Sequence, residues 1–159
     1  MKKISLTRLS LAVSLAVVGG LSLFSPAIAT AGTSPTVVEL FTSEGCSSCP
    51  PAEALLRRLA DEPDILALEF HVDYWDYIGW PDPYADAKYT QRQRDYAQYF
   101  HSRTVYTPQM VFQGVHEAPG SRPSEVRKNI AKAQALPRVP VSLTMTAGDQ
   151  LELRIEAST

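Results

Sequence analysis

The chain has 159 residues, 45% of them hydrophobic and 20% charged, with a formal net charge of −2 at pH 7. That composition suits one globular domain of ordinary size. It lacks the basic surface needed to track a nucleic-acid backbone, and the Arg92/Arg94 pair reads as a solvated helix face.

The first 29 residues carry Lys2, Lys3 and Arg8, then a mostly apolar stretch from Leu9 to Phe24, then Ala27-Ile28-Ala29. A charged start, a short apolar core and an Ala-x-Ala site predict a cleaved export signal over residues 1–29. An uncleaved anchor needs about 20 apolar residues. This core is shorter and is broken by Ser14, Gly19, Gly20 and Ser22. Cleavage after Ala29 leaves 130 residues and, by removing three positive charges and no negative ones, moves the formal charge from −2 to −5. The Met1-Lys2-Lys3 start reads as bacterial, so the expected location is periplasmic or secreted, free of the membrane after cleavage, where disulfides persist.

Thr36 to Phe41 reads as a strand, rich in β-branched and aromatic residues and apolar on both faces, as in a central strand. Cys46 and Cys49, the only cysteines in the chain, follow at the handover to a helix that Pro50-Pro51 opens. Ala52, Leu55, Leu56 and Leu59 recur at i, i+3, i+4 and i+7, and Asp61-Glu62-Pro63 ends the helix. Ile65 to Val72 predicts a second strand, with Leu66, Leu68, Phe70 and Val72 alternating against Glu69 and His71. Strand, helix, strand makes a parallel βαβ unit.

Asp73 to Pro83 reads as an aromatic loop, followed by a helix from Asp86 to His101 that buries Tyr89, Tyr96, Ala97 and Phe100. Val105 to Phe112 holds a short strand with Pro108 near its start, which Gln113-Gly114 turns into a partner strand, Val115 to Ala118. Ser121 to Glu125 signals a helix start, with Val126, Ile130 and Ala133 as its apolar side. Val139 to Met145 and Leu151 to Ile155 alternate around Ala147-Gly148-Asp149 as a β-hairpin.

Two thiols three residues apart can close and reopen a disulfide with little backbone movement, so the spacing suits a redox couple. A helix start stabilises a thiolate over a thiol, and the thiolate is the reacting species. In this reading Cys46 attacks, being the more exposed, and Cys49 resolves. A permanent staple is the alternative, although so short a loop is a poor place for one. Cu(I) or Zn binding is a third reading, but His71, His101 and His116 stand in no ligand-like spacing with the cysteines and read as surface or strand-end histidines. No metal site is therefore expected. Tyr74, Trp75, Asp73 and Asp76 either line a substrate groove or, as aromatics, pack the inserted helix while the acids face water.

The element order, Cys-x-x-Cys at the first strand-to-helix junction and Thr107-Pro108 before the third strand together resemble the thioredoxin fold. More closely, Val38 to Pro51, His71 to Asp76 and Val105 to Met110 look like a family of exported bacterial thioredoxin-like proteins whose domain has no known function. The resemblance implies an α/β thioredoxin-like fold over residues 30–137, a central mixed sheet flanked by helices with a helical and aromatic insertion. A β-hairpin extension over 138–159 follows, either packed on the domain or opening a further β-module as family members usually have. The implied activity is thiol–disulfide exchange with protein or small-molecule thiols and a redox partner protein, with no organic cofactor. The alternative is a non-enzymatic module, a copper chaperone or a domain with an inert bridge. By resemblance Pro108 is a site residue in a cis peptide bond, Thr107 offers its N–H and C=O to a substrate strand, and Tyr106 and Trp75 flank it.

Two departures stand out. Gly45 replaces the tryptophan usual before the motif, and the stretch from Cys49 to Pro108 is longer than in a thioredoxin. Glu39 lies one residue further from the motif than the buried acid of thioredoxins. If it fills the same site, the resemblance gives it the proton of Cys49, with burial raising its pKa. The alternative is a carboxylate that reaches solvent at a sheet edge.

Overall fold

The computed structural model describes residues 34–146, 148 and 150–155, so the export signal expected over 1–29 lies outside the described residues. The elements in chain order are β1 (Thr36–Thr42), α1 (Pro50–Ala60), β2 (Ile65–His71), a 3-10 helix (Asp73–Ile78), α2 (Ala87–Tyr99), β3 (Gln109–Phe112), β4 (His116–Pro119), α3 (Pro123–Gln134), β5 (Val141–Thr146) and β6 (Gln150–Ile155). The first four strands form a mixed sheet in the order β2-β1-β3-β4. β1 runs parallel to β2, with Thr42 opposite His71, and antiparallel to β3, which pairs antiparallel with β4.

Alternation along the strands builds a core on each face. Val38 and Leu40 of β1 and Met110 and Phe112 of β3 meet the α1 stripe (Ala52, Leu55, Leu56, Leu59) and the α3 stripe (Val126, Ile130, Ala133). Each of these large side chains contributes about 1.5–3 kcal/mol by leaving water. The other face turns Phe41, Val72 and Val111 towards Phe70, Tyr74, Trp75, Tyr96 and Phe100. As the sequence predicts, β1 is a central strand and α1 and α3 bury the expected stripes.

Four expectations need correction. Leu66 is exposed, because β2 is an edge strand and Leu66 sits near its start. Asp73 to Pro83 is not all loop, since its first half winds into the 3-10 helix. The fully buried residues of α2 are the polar Thr90 and Gln93, while Tyr89, Tyr96, Ala97 and Phe100 are half-buried. Val105 to Pro108 lies outside any strand, so β3 is only four residues long.

The β5–β6 hairpin has no buried residue. Its register pairs Val141 with Ile155, Leu143 with Leu153 and Met145 with Leu151, so one face is apolar throughout and open to solvent. A two-stranded hairpin without cover is marginal in water. We expect amides of Val141 to Met145 to exchange within the dead time of a hydrogen-exchange experiment under conditions that protect Val38 to Phe41. Equal protection in the isolated 159-residue chain would contradict this.

Candidate functional site

The site is assembled where β1 and β2 end side by side. Ligands in α/β sheets bind outside the carboxyl ends of parallel strands. Beyond Thr42 the chain makes a tight turn, with the N–H of Cys46 on the carbonyl of Ser43 (3.0 Å) and the N–H of Cys49 on that of Cys46 (3.1 Å). Cys49 is the N-cap residue of α1, and its carbonyl accepts from Ala52 and Glu53. Cys46 and Cys49 are joined by a disulfide. The helix start places a positive dipole end at these sulfurs, although Pro50 and Pro51 carry no N–H and those of Ala52 and Glu53 are taken by the Cys49 carbonyl.

Cys46 is 2% exposed and Cys49 0%, so both residues are buried and Cys46 is the more exposed only by a small margin. The cover over the turn is the 3-10 helix. A Cβ at Gly45 would stand 3.0 Å from Ile78 Cδ1 and 3.1 Å from Trp75 Cβ, so the lack of a side chain at position 45 lets this helix close on the cysteine turn. Cys46 borders a groove of about 580 Å³ that Ser43, Glu44, Glu53, Glu69, His71 and Trp80, among others, also line.

His71 and Asp82, neither of them assigned to the site from the sequence, meet at this groove. Asp82 is buried, and its Oδ2 accepts from His71 Nδ1 (2.6 Å) and from the N–H of Glu44 (2.8 Å), while Oδ1 accepts from the N–H of Tyr84 (2.9 Å). Burial acts to raise the Asp82 carboxyl, but Glu44, His71 and Tyr84 together hold it below the usual carboxylate value. Its stabilising contribution is therefore full at neutral pH and is lost as pH falls through that lowered value. Beside His71 on β2, burial and then the charge of Glu53 push Glu69 above the usual range.

Thr107 and Pro108 precede β3, and the bond between them is cis, as the resemblance implies. Trp75 donates its indole N–H to Thr107 Oγ1 (2.8 Å). The backbone N–H and C=O of Thr107 make no hydrogen bond among the described residues. Tyr106 donates its hydroxyl to Glu117, and burial and that carboxylate raise its phenol strongly. Its carbonyl accepts from Gln93 Nε2 (2.7 Å), which also donates to Gln109 Oε1 (2.9 Å), while Gln93 Oε1 accepts from Tyr74 (3.1 Å). One buried side chain thus ties α2 to the 3-10 helix, the Thr107 loop and β3. We expect Gln93→Ala to cost about 2–3 kcal/mol in urea unfolding, because it leaves several buried groups without partners. A loss under about 1 kcal/mol would mean that water replaces those bonds.

Asp73 and Asp76 do not simply face water. Asp73 exchanges hydrogen bonds with Thr90, and Asp76 Oδ1 accepts from the N–H of Asp82 (3.1 Å). Glu39 is buried, not solvated at an edge, and points to the α2 side of the sheet. Its two oxygens are held by Arg92 Nε (2.6 Å), Arg92 Nη2 (3.0 Å) and the Tyr96 hydroxyl (2.7 Å). Burial and Glu39 together push the Tyr96 phenol up to about 12. Among the described residues no three His, Cys, Asp or Glu side chains are grouped to hold a metal ion. Nor is any helix among them long and apolar enough to cross a membrane.

A signal for His71 was present in the sequence: it ends the second parallel strand, beside the end of the strand that leads to Cys46. Gln93 also carried one, lying with Tyr89, Tyr96 and Phe100 at i, i+4, i+7 and i+11 on one helix face.

No curated protein matches the chain. A crystal structure of a structural-genomics target from Agrobacterium tumefaciens is similar, with 39% sequence identity and a TM-score of 0.68. The match covers 79% of this chain and 58% of that one, so this chain spans little more than half the length of its relative. Residues 37–159 match the family described as "Protein of unknown function (DUF1223)". With a mixed four-stranded sheet, flanking helices, a carboxy-terminal hairpin and a Cys-x-x-Cys bridge at the head of α1, the chain belongs to the DUF1223 family.

Proposed function

We propose that the chain is an exported, thioredoxin-like thiol–disulfide oxidoreductase that works through Cys46 and Cys49, with Cys46 as the attacking thiol. The observation that carries this reading is the bridge itself, set at the first turn of α1 with Cys46 on an open groove. The N-terminal dipole of α1 favours the thiolate that attack requires. The backbone of Thr107, which makes no hydrogen bond among the described residues, supports recognition by strand addition. Residues 1–29 supply the export signal in this reading, and an oxidising compartment keeps the bridge. Glu39 takes no proton in this scheme, because a guanidinium and a phenol already occupy both of its oxygens.

The burial of both sulfurs favours a second reading, an inert structural bridge. The test is a redox titration of the pair against glutathione, run with an insulin-reduction assay. A potential near those of known oxidoreductases together with turnover supports the proposal. A potential below about −300 mV with no turnover supports the inert bridge.

A further inference from the structure

The His71–Asp82 pair is tied to the cysteine turn by a single atom. Asp82 Oδ2 accepts both from His71 Nδ1 and from the N–H of Glu44, two residues before Cys46. An ionised carboxylate is acceptor-only, so Nδ1 must carry the hydrogen. Neutral His71 then has its lone pair on Nε2, which makes no hydrogen bond among the described residues and stands 4.0 Å from Glu69 Oε1. The ring lines the same groove as Cys46. A buried acid that fixes the tautomer of an imidazole is the arrangement by which bases are oriented for proton transfer, and here that imidazole and the nucleophile border one groove.

We propose that His71, oriented by Asp82, is the proton-transfer group for Cys46. The proposal rests on the redox reading above. In the reduced protein Nε2 takes the proton of the Cys46 thiol, and the Cys46 thiolate attacks a substrate disulfide. A Cys46–substrate S–S bond forms, the substrate S–S bond breaks, and the departing thiolate takes the proton back from the His71 imidazolium. Cys49, losing its own proton, then attacks Cys46. The Cys46–Cys49 bond forms, the second substrate thiolate leaves and is protonated. Two electrons and two protons pass from the pair to the substrate, and a partner dithiol restores the pair.

The charged surroundings decide the sign of the effect. Asp82 and Tyr84 flank the ring from the segment after the 3-10 helix, with the Tyr84 ring centroid 5.4 Å away. Glu69 flanks it on β2, Glu53 and Arg57 face it from α1, and Glu44 lies on the cysteine turn. Acids outnumber the single arginine around the groove and disfavour a lone thiolate at Cys46, so a proton kept on Nε2 is what offsets the new charge.

Two measurements on the full chain test this. Imidazole NMR is expected to show His71 titrating at a pH about one unit higher in the dithiol form than in the disulfide form, because only the former sets a thiolate beside it. In His71→Gln, the pH at which Cys46 reaches half its maximal rate of alkylation by iodoacetamide should rise by about one unit. Insulin reduction at pH 7 should fall roughly tenfold or more in that variant. Asp82→Asn should move both readouts in the same direction. Identical His71 titrations in the two redox states, with an unshifted alkylation profile in His71→Gln, overturn the role of His71 while wild-type turnover leaves the redox reading standing. A wild-type bridge that dithiothreitol does not open, with no turnover, overturns the redox reading and this proposal with it.

Discussion

Cys46→Ala is expected to abolish insulin reduction, and Cys49→Ala to halt the cycle at a mixed disulfide. The two effects differ because the thiols differ in access. Cys46 lines the groove, whereas Cys49 is the fully buried N-cap of α1 and can reach only Cys46. Without Cys46 nothing in the groove can form the first covalent bond. Without Cys49 the bond forms but has no internal thiol to break it, so a covalent complex should accumulate and run as a discrete band without reductant. Neither effect would reflect unfolding. A loop this short contributes only about 2 kcal/mol to stability in the chain-entropy account, and the two cores are untouched by the change. Equal residual turnover in both variants, with no trapped complex, would place the chemistry elsewhere or deny it altogether. Cys46→Ala should also leave the far-ultraviolet circular dichroism unchanged, which separates a lost nucleophile from a lost fold.

The apolar skeleton of this chain is readable because it obeys short-range periodicities. Leu55, Leu56 and Leu59 fall on one helix face whatever the rest of the chain does, and Val38 with Leu40 oppose Phe41 by simple alternation. The cysteine pair is equally legible, since its spacing and its place between strand and helix are both local. What surrounds the pair is not. Asp82 reaches His71 only because the chain after the 3-10 helix doubles back to the end of β2, where Ala85 bridges to His71 and the N–H of Asp86 meets its carbonyl. No rule of spacing anticipates that return. α2 hid its purpose for another reason. Its buried centre is Thr90 and Gln93, and polar residues on a helix read as a solvent face unless their partners are known. The partners, Tyr74, Tyr106 and Asp73, come from a single short 3-10 helix and a loop, whose sequences carry no apolar periodicity to announce them. Leu66 failed in the opposite sense, as an alternating apolar residue that an edge strand leaves open.

Arg92→Met should destabilise the protein by roughly 3 kcal/mol at pH 7, more than any change to Glu39 itself. The asymmetry comes from burial. The Glu39 side chain is 4% exposed, whereas that of Arg92 is 48% exposed. Removing Arg92 strands a carboxylate inside the sheet–α2 core with only the Tyr96 hydroxyl for company, and methionine restores part of the packing that the Arg92 stem makes against Phe70 and Tyr96. Removing the charge at Glu39 instead leaves a guanidinium that water can still reach. Glu39→Gln should therefore cost only about 1 kcal/mol. The double variant Glu39→Leu/Arg92→Met should recover much of the loss, since no buried charge remains. The sign with pH follows from proton binding. The stranded carboxylate holds a proton in the folded state at pH values where the unfolded chain has released it, so stability falls as pH rises and the deficit should shrink towards about pH 4. Urea unfolding of the three variants at pH 4.5 and pH 7 measures each of these differences. A deficit in Arg92→Met that is the same at both pH values, and that the double variant does not relieve, would mean that Arg92 acts through its stem over Phe70 and Tyr96 and not as the counter-charge of Glu39.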